Sequence, residues 1–287
     1  MRFNARSRKI RSYEWGLVLR APILAVGLAL LIIGMAPAAD SLNVRFVGNC
    51  SFGSPRAVAM DSVRGLAYCS SGGGVYVLDV SDPASPHILS EGVRVTDVVA
   101  GLECTQDRLY VAGGVSGLPI WDVADPSEPI WLSDFDAGCC NDVSVRDSFA
   151  YVACGADGLH IIDVLNGRSP RAVGYCNTPG NAVGVVVRDT LAFVADGSEG
   201  LRMIDVSDPE RPREVGGAKT RGRAWAVSVQ GSYAFVAAAD SGLCVVDVSH
   251  PEAPSEVGRY PTETYCRGVC AAGSYVYLTS DFAGLFV

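Results

Sequence analysis

The stretch Gly200–Pro209 reads GLRMIDVSDP. A glycine, a run of mostly apolar residues, an Asp-Val pair and a Ser-Asp-Pro cluster describe a short buried strand entering a tight turn. The same phrase recurs as GVYVLDVSDP from Gly74, GLPIWDVADP from Gly117, GLHIIDV from Gly158 and GLCVVDVSHP from Gly242. A partial copy, GLFV, starts at Gly284. The aspartates of the motif, Asp79, Asp122, Asp163, Asp205 and Asp247, are spaced by 43, 41, 42 and 42 residues. A fixed period of this length marks a repeat architecture.

Working outward, the rest of the unit repeats as well. After the turn and a second proline comes a short strand: PRAVGYC from Pro170, PREVGGA from Pro212, PSEVGRY from Pro254. An alternating run follows, such as DVSV at Asp142–Val145 or AVSV at Ala226–Val229, and then a tight polar turn around Asp147 or Gly231. The next strand reads FAYVA from Phe149, LAFVA from Leu191, YAFVA from Tyr233 and YVYLT from Tyr275. Naming these strands A (DVSV), B (FAYVA), C (GLHIIDV) and D (PRAVG), each unit holds four strands and no sustained helical spacing. One twisted four-stranded sheet cannot cover both of its apolar faces, so neighbouring units must do so, which predicts an all-β β-propeller.

Val44–Cys50, VRFVGNC, matches Pro170–Cys176 at an offset of 126 residues, so the body opens on a D strand and ends on a C strand. The expectation is six four-stranded blades, the last closed by the N-terminal strand, which hides the open sheet edge. The competing reading is a chain truncated at its C-terminus. Two copies depart from the pattern: Pro119 falls within strand C of the second, and Leu165-Asn166-Gly167 replaces Ser-Asp-Pro in the third. Both suit local edge or turn changes.

GLHIID, GLRMID and GLCVVD in this forty-two-residue frame resemble the LVIVD-repeat family of bacterial surface and secreted proteins, over Val44–Val287. That family is described by its repeat rather than by an activity, so the resemblance implies no catalytic residues and no cofactor.

Charge and hydropathy divide the chain at about residue 39. Residues 1–39 carry six basic residues and one acidic one, and the remainder 17 basic and 30 acidic, a net of −13. The basic stretch ends at Arg20, an apolar run spans Ala21–Met35, and small residues follow at Ala36-Pro37-Ala38-Ala39. This reads as an export signal over 1–39, with the propeller over 40–287. The apolar run is short for a spanning helix, which needs about 20 residues. An uncleaved N-terminal anchor is the alternative, and the only membrane association expected. The destination is then periplasmic, cell-surface or extracellular. The acidic body argues against a nucleic-acid partner.

Ten cysteines lie beyond residue 39, without paired CxxC spacing. If Val145 pairs with Phe149 and Val143 with Tyr151, Cys140 comes opposite Cys154 within reach of a disulfide, with Cys139 as competitor. The five motif aspartates could form a carboxylate ring, but an Asp ending a strand before a turn accepts backbone N–H bonds, and that structural role fits better. His87, His160 and His250 belong to three different units, so no metal site is expected. No GxSxG, HExxH, GxGxxG or GxxxxGK[ST] occurs in a suitable context.

Alternating strand direction puts the D–A and B–C loops on one face, which carries the irregular residues. Its candidate binding residues are Arg221, Arg223, Trp225, Tyr265, Arg267, Asp157, Glu199, Asp240 and Asp281. Arginine, aromatic and acidic groups together suit a protein or glycan partner. The expected function is therefore a non-enzymatic binding scaffold at the cell envelope. Two alternatives remain: a hydrolase or lyase at the channel mouth, and a structural module of a larger surface protein.

Overall fold

The computed structural model describes residues 56–287, which form 23 strands in six antiparallel sheets and no helix. Blade one is β1 (Val58–Asp61), β2 (Leu66–Ser71), β3 (Gly74–Asp79) and β4 (His87–Arg94). Blade two is β5 (Gly101–Cys104), β6 (Arg108–Ala112), β7 (Leu118–Asp122) and β8 (Ile130–Phe135). Blade three is β9 (Asp142–Arg146), β10 (Phe149–Ala153), β11 (Leu159–Asp163) and β12 (Arg171–Cys176). Blade four is β13 (Gly184–Arg188), β14 (Leu191–Ala195), β15 (Leu201–Asp205) and β16 (Arg213–Ala218). Blade five is β17 (Ala226–Gln230), β18 (Tyr233–Ala237), β19 (Leu243–Asp247) and β20 (Ser255–Tyr260). Of blade six the described residues supply β21 (Cys266–Ala272), β22 (Tyr275–Ser280) and β23 (Gly284–Phe286). The expected closing strand at Val44–Cys50 and the expected signal at 1–39 lie outside the described residues.

The core forms between sheets. One apolar cluster joins Tyr110, Leu118 and Ile120 of blade two to Val143, Val152 and Ile162 of blade three. Equivalent clusters join blades one and two, three and four, four and five, and five and six. Burying each such aliphatic side chain contributes about 1.5–3 kcal/mol, so the sheets hold one another in place. The first strand of each blade lies against the first strand of the next, from β1 through β5, β9, β13 and β17 to β21. These innermost strands are also tied by side chains. The Val185 N–H donates to Asp142 (2.9 Å), the Val187 N–H to Ser144 (3.3 Å) and the Ala271 N–H to Ser228 (3.0 Å).

The turn chemistry explains the repeat phrase. Each motif aspartate accepts the backbone N–H two residues on: Ser81 to Asp79, Ala124 to Asp122, Leu165 to Asp163, Ser207 to Asp205 and Ser249 to Asp247, all at 2.8–3.0 Å. Side-chain and backbone bonds from Ser81, Ser207 and Ser249 hold Asp79, Asp205 and Asp247 below the ordinary carboxylate range. The Leu165 N–H and Arg171 do the same for Asp163. In the third copy Asn166 receives the Arg168 N–H, as Asp208 receives that of Glu210, so the altered turn keeps its shape.

Two expectations are corrected. Pro119 does not sit at a sheet edge: β7 lies between β6 and β8. Its ladder to β6 stops at the Tyr110–Ile120 pair, one residue short of the proline, whose ring nitrogen has no hydrogen to donate. The A–B hairpin of blade three also has a different register. Arg146 pairs with Phe149 around a two-residue turn in which Asp147 has φ +54°, so Val145 faces Ala150 and Val143 faces Val152. A two-residue turn with a positive φ at its first position matches the twist of the flanking strands, which the unprimed turns would splay. Cys140 is thereby carried one residue past Cys154. Both thiols are free and buried, and they remain in side-chain contact.

Candidate functional site

The D–A and B–C loops meet on one face, stitched by isolated β-bridges: Gly114 with Cys140, Gly155 with Ala182, Gly197 with Ala224 and Ala239 with Cys266. Each bridge joins the B–C loop of one blade to the segment entering the next. The loops therefore stand on a rigid base, at the ends of the innermost strands.

Between blades five and six, five of the candidate residues come together. Trp225 immediately precedes β17, and Tyr265 immediately precedes β21. The Trp225 indole N–H donates to the Tyr265 hydroxyl (2.8 Å), with the rings edge to face at 6.0 Å. Arg267 lies over Trp225 at 4.5 Å and over Tyr265 at 5.1 Å. Arg223 lies over Trp225 at 5.3 Å. Asp281, from the blade-six B–C loop, accepts the Arg267 Nε–H with both oxygens at 2.8 Å. A guanidinium over an aromatic face contributes about 0.5–1 kcal/mol at an exposed site. Both arginines make these contacts while staying exposed.

The other four candidates stand apart from this stack. Glu199 is held by Arg202 (3.0 Å) and Lys219 (3.3 Å). Arg221 and Asp240 are exposed on adjoining loops, without side-chain partners among the described residues. Asp157 is exposed beside blade three, where its charge bears on His160 and Cys154.

Two acidic sites lie outside the nine candidate residues. Asp196, wholly buried in the blade-four B–C loop, accepts the Thr178 hydroxyl (2.6 Å) and the Gly180 N–H (2.9 Å), with Arg202 at 3.9 Å. Burial pushes its carboxyl up against those bonds. The second site is on the innermost strands of blades two and three. Asp142 covers Gly101 so closely that a Cβ there would come within 2.6 Å of its Oδ1. Glu103 follows two residues along β5. Desolvation, then the Asp142 charge, pushes Glu103 up to about 8, and desolvation pushes Asp142 up to about 7.

An acid whose pKa is raised on folding binds more protons in the native state than in the unfolded chain, so stability falls as pH rises through the interval. For Glu103 the contribution is complete below its unfolded value of 4.5 and declines until about pH 8. Glu103→Gln is expected to remove this loss, gaining on the order of 2 kcal/mol over the wild type between pH 5 and pH 8 after allowance for solvent in the channel. Urea denaturation at both pH values checks this; parallel curves for the two proteins would refute it.

No cluster of three or more His, Cys, Asp or Glu side chains arranged to hold a metal occurs among the described residues. A groove of about 580 Å³ lies on the opposite face, lined by Asp205, Arg213, His250 and Glu252. A smaller one of about 190 Å³ lies on blade three beside Phe135, His160 and Tyr175.

Stacked four-stranded sheets of a single repeat, with their loops gathered on one face, define a β-propeller repeat protein. The LVIVD repeat model matches residues 65–92, 106–136, 137–178, 179–220 and 221–262, and the chain belongs to the LVIVD-repeat family. No curated protein matches it. Among solved structures it is similar to the computationally designed Ika8 protein, at TM-score 0.63 and 9% identity over 81% of this chain and 70% of that one. It is similar to the Cps50 (Swd1) β-propeller domain of Myceliophteria thermophila, at TM-score 0.64 and 12% identity over 80% and 81%. The WD40 repeats of RRP9 give TM-score 0.63 and 13% identity over 83% and 77%. Identities this low establish the shared fold alone.

Proposed function

We propose that this protein is an exported, non-enzymatic binding scaffold that engages a protein or carbohydrate partner through its D–A and B–C loop face. The observation that carries this reading is the convergence of Arg223, Trp225, Tyr265, Arg267 and Asp281 into one stack, because arginine and tryptophan are among the side chains that most often dominate binding energy. The basic and apolar segment over residues 1–39 supports export. Replacing Trp225, Arg223 and Tyr265 together with alanine is expected to weaken capture of a partner at least tenfold while circular dichroism and the urea midpoint change little. Unchanged capture by the triple variant would count against this face.

One observation favours a second reading, a hydrolase or lyase at the channel mouth. Glu103 on β5 and Asp142 on β9 are neighbouring carboxylates that desolvation pushes up to about 8 and about 7, into the range where general acid–base catalysts work. Turnover of a glycoside or ester that disappears in Glu103→Gln and Asp142→Asn would favour it over the scaffold.

A further inference from the structure

We propose that the Arg223–Trp225–Tyr265–Arg267 cluster takes a carboxylate side chain from an acidic peptide segment of the partner; this rests on the loop face being the binding face. The inventory of donors leads there. The Trp225 N–H is already given to the Tyr265 oxygen, which leaves the phenol's own hydrogen to donate elsewhere. Arg267 uses its Nε–H on Asp281 and keeps its two terminal nitrogens. Arg223 makes no ion pair among the described residues; its Nε lies above Gly197 and its guanidinium above Trp225. Among the described residues, the carboxylate that pairs with these two guanidiniums is Asp281, and both of its oxygens face Arg267. An incoming carboxylate would supply the missing acceptor, and a planar guanidinium receives it with two parallel N–H bonds.

The same geometry argues against a sugar. Carbohydrate stacking needs a bare aromatic face, whereas Trp225 has two guanidiniums within 5.3 Å of its ring centre and Tyr265 has one at 5.1 Å. The net charge of −13 beyond residue 39 limits the ligand further. A long polyanion would be repelled by the body, while a short segment with one or two carboxylates would be drawn to its cationic spot.

The test uses the full chain with three fluorescent probes: a nine-residue Gly/Ser peptide carrying two Glu (the Glu peptide), the matched peptide with two Gln (the Gln peptide) and a digalacturonate of equal charge. Anisotropy titrations at low salt are expected to show saturable binding of the Glu peptide. Binding of the Gln peptide and of the uronate should be at least tenfold weaker. Arg223→Ala, at an exposed position, should weaken the Glu peptide at least tenfold, and Arg223→Ala with Arg267→Ala should abolish its binding. Equal binding of the Gln peptide, tighter binding of the uronate or an unaffected double variant would each overturn the proposal. If the Gln peptide binds as tightly and Trp225→Ala removes it, carboxylate recognition falls and the loop face stands; if the uronate binds more tightly and Trp225→Ala removes it, the peptide source falls and the loop face stands. If Trp225→Ala changes binding of none of the probes and of no captured partner, the face falls too.

Discussion

Replacing Gly200 with alanine is expected to lower the unfolding free energy by about 3 kcal/mol, from the combined cost of a left-handed non-glycine residue and an overpacked contact. Gly200 has φ +81°, a conformation that L side chains rarely adopt. A Cβ there would also come within 2.6 Å of the Thr220 nitrogen and 2.9 Å of the Lys219 Cα, and closer still to the Ala218 carbonyl oxygen. All three are backbone atoms of the segment leaving β16, so no rotamer change can make room. Gly158 and Gly242 meet the same obstruction from Cys176–Thr178 and Tyr260–Thr262. Gly231 supplies the control: its φ is +59°, but a Cβ there meets nothing within 4 Å. Gly231→Ala should therefore cost only about 1 kcal/mol, the conformational part alone. Urea unfolding of the two variants separates the contributions. A Gly200 variant no weaker than the Gly231 variant would contradict the close-approach explanation.

Asp196→Ala is expected to cost about 2–4 kcal/mol, because a buried hydroxyl and a partly buried N–H would lose their acceptor together. Thr178 is itself buried, so its hydroxyl cannot readily turn to solvent. Arg202 would keep Glu199 and Glu214 but lose the charge nearest its Nε, which already lacks a hydrogen-bond partner. Asp196→Asn keeps one acceptor oxygen for Thr178 and relieves the burial of charge, so its loss should be less than half that of alanine. Denaturant midpoints of the three proteins decide this. An alanine variant as stable as the wild type would show that the network contributes nothing to folding.

The propeller was legible because its requirements repeat. Glycine at Gly200 and aspartate at Asp205 each meet a backbone need that recurs about every forty-two residues in five copies, and the proline at Pro209 recurs in four of them, a pattern that cannot be mistaken for chance. The hairpin register was not legible. Arg146-Asp147-Ser148-Phe149 can close with two or three residues in the turn, and only the left-handed backbone at Asp147 selects two. The nine candidate residues could be placed at the D–A and B–C loops from strand direction. That Arg223 and Arg267 converge on one indole depends on side-chain directions that a strand diagram does not carry. Asp196 and Glu103 left a signal that was available. Aligning the copies puts Asp196 where others have Cys154, Ala238 and Ser280, and Glu103 where others have Ser144, Val186 and Ser228. A charge at a position otherwise small or apolar marks a local network.

Hydrogen exchange of the amide protons, with and without the captured partner, tests the proposed binding face most directly. The expected result is protection confined to residues 219–225, 238–242, 261–267 and 281–283, with the opposite turns at 165–170, 207–212 and 249–254 exchanging as in the free protein. Protection of those opposite turns, with the Trp225 and Tyr265 segments unaffected, would place the binding surface on the wrong side of the propeller and contradict it.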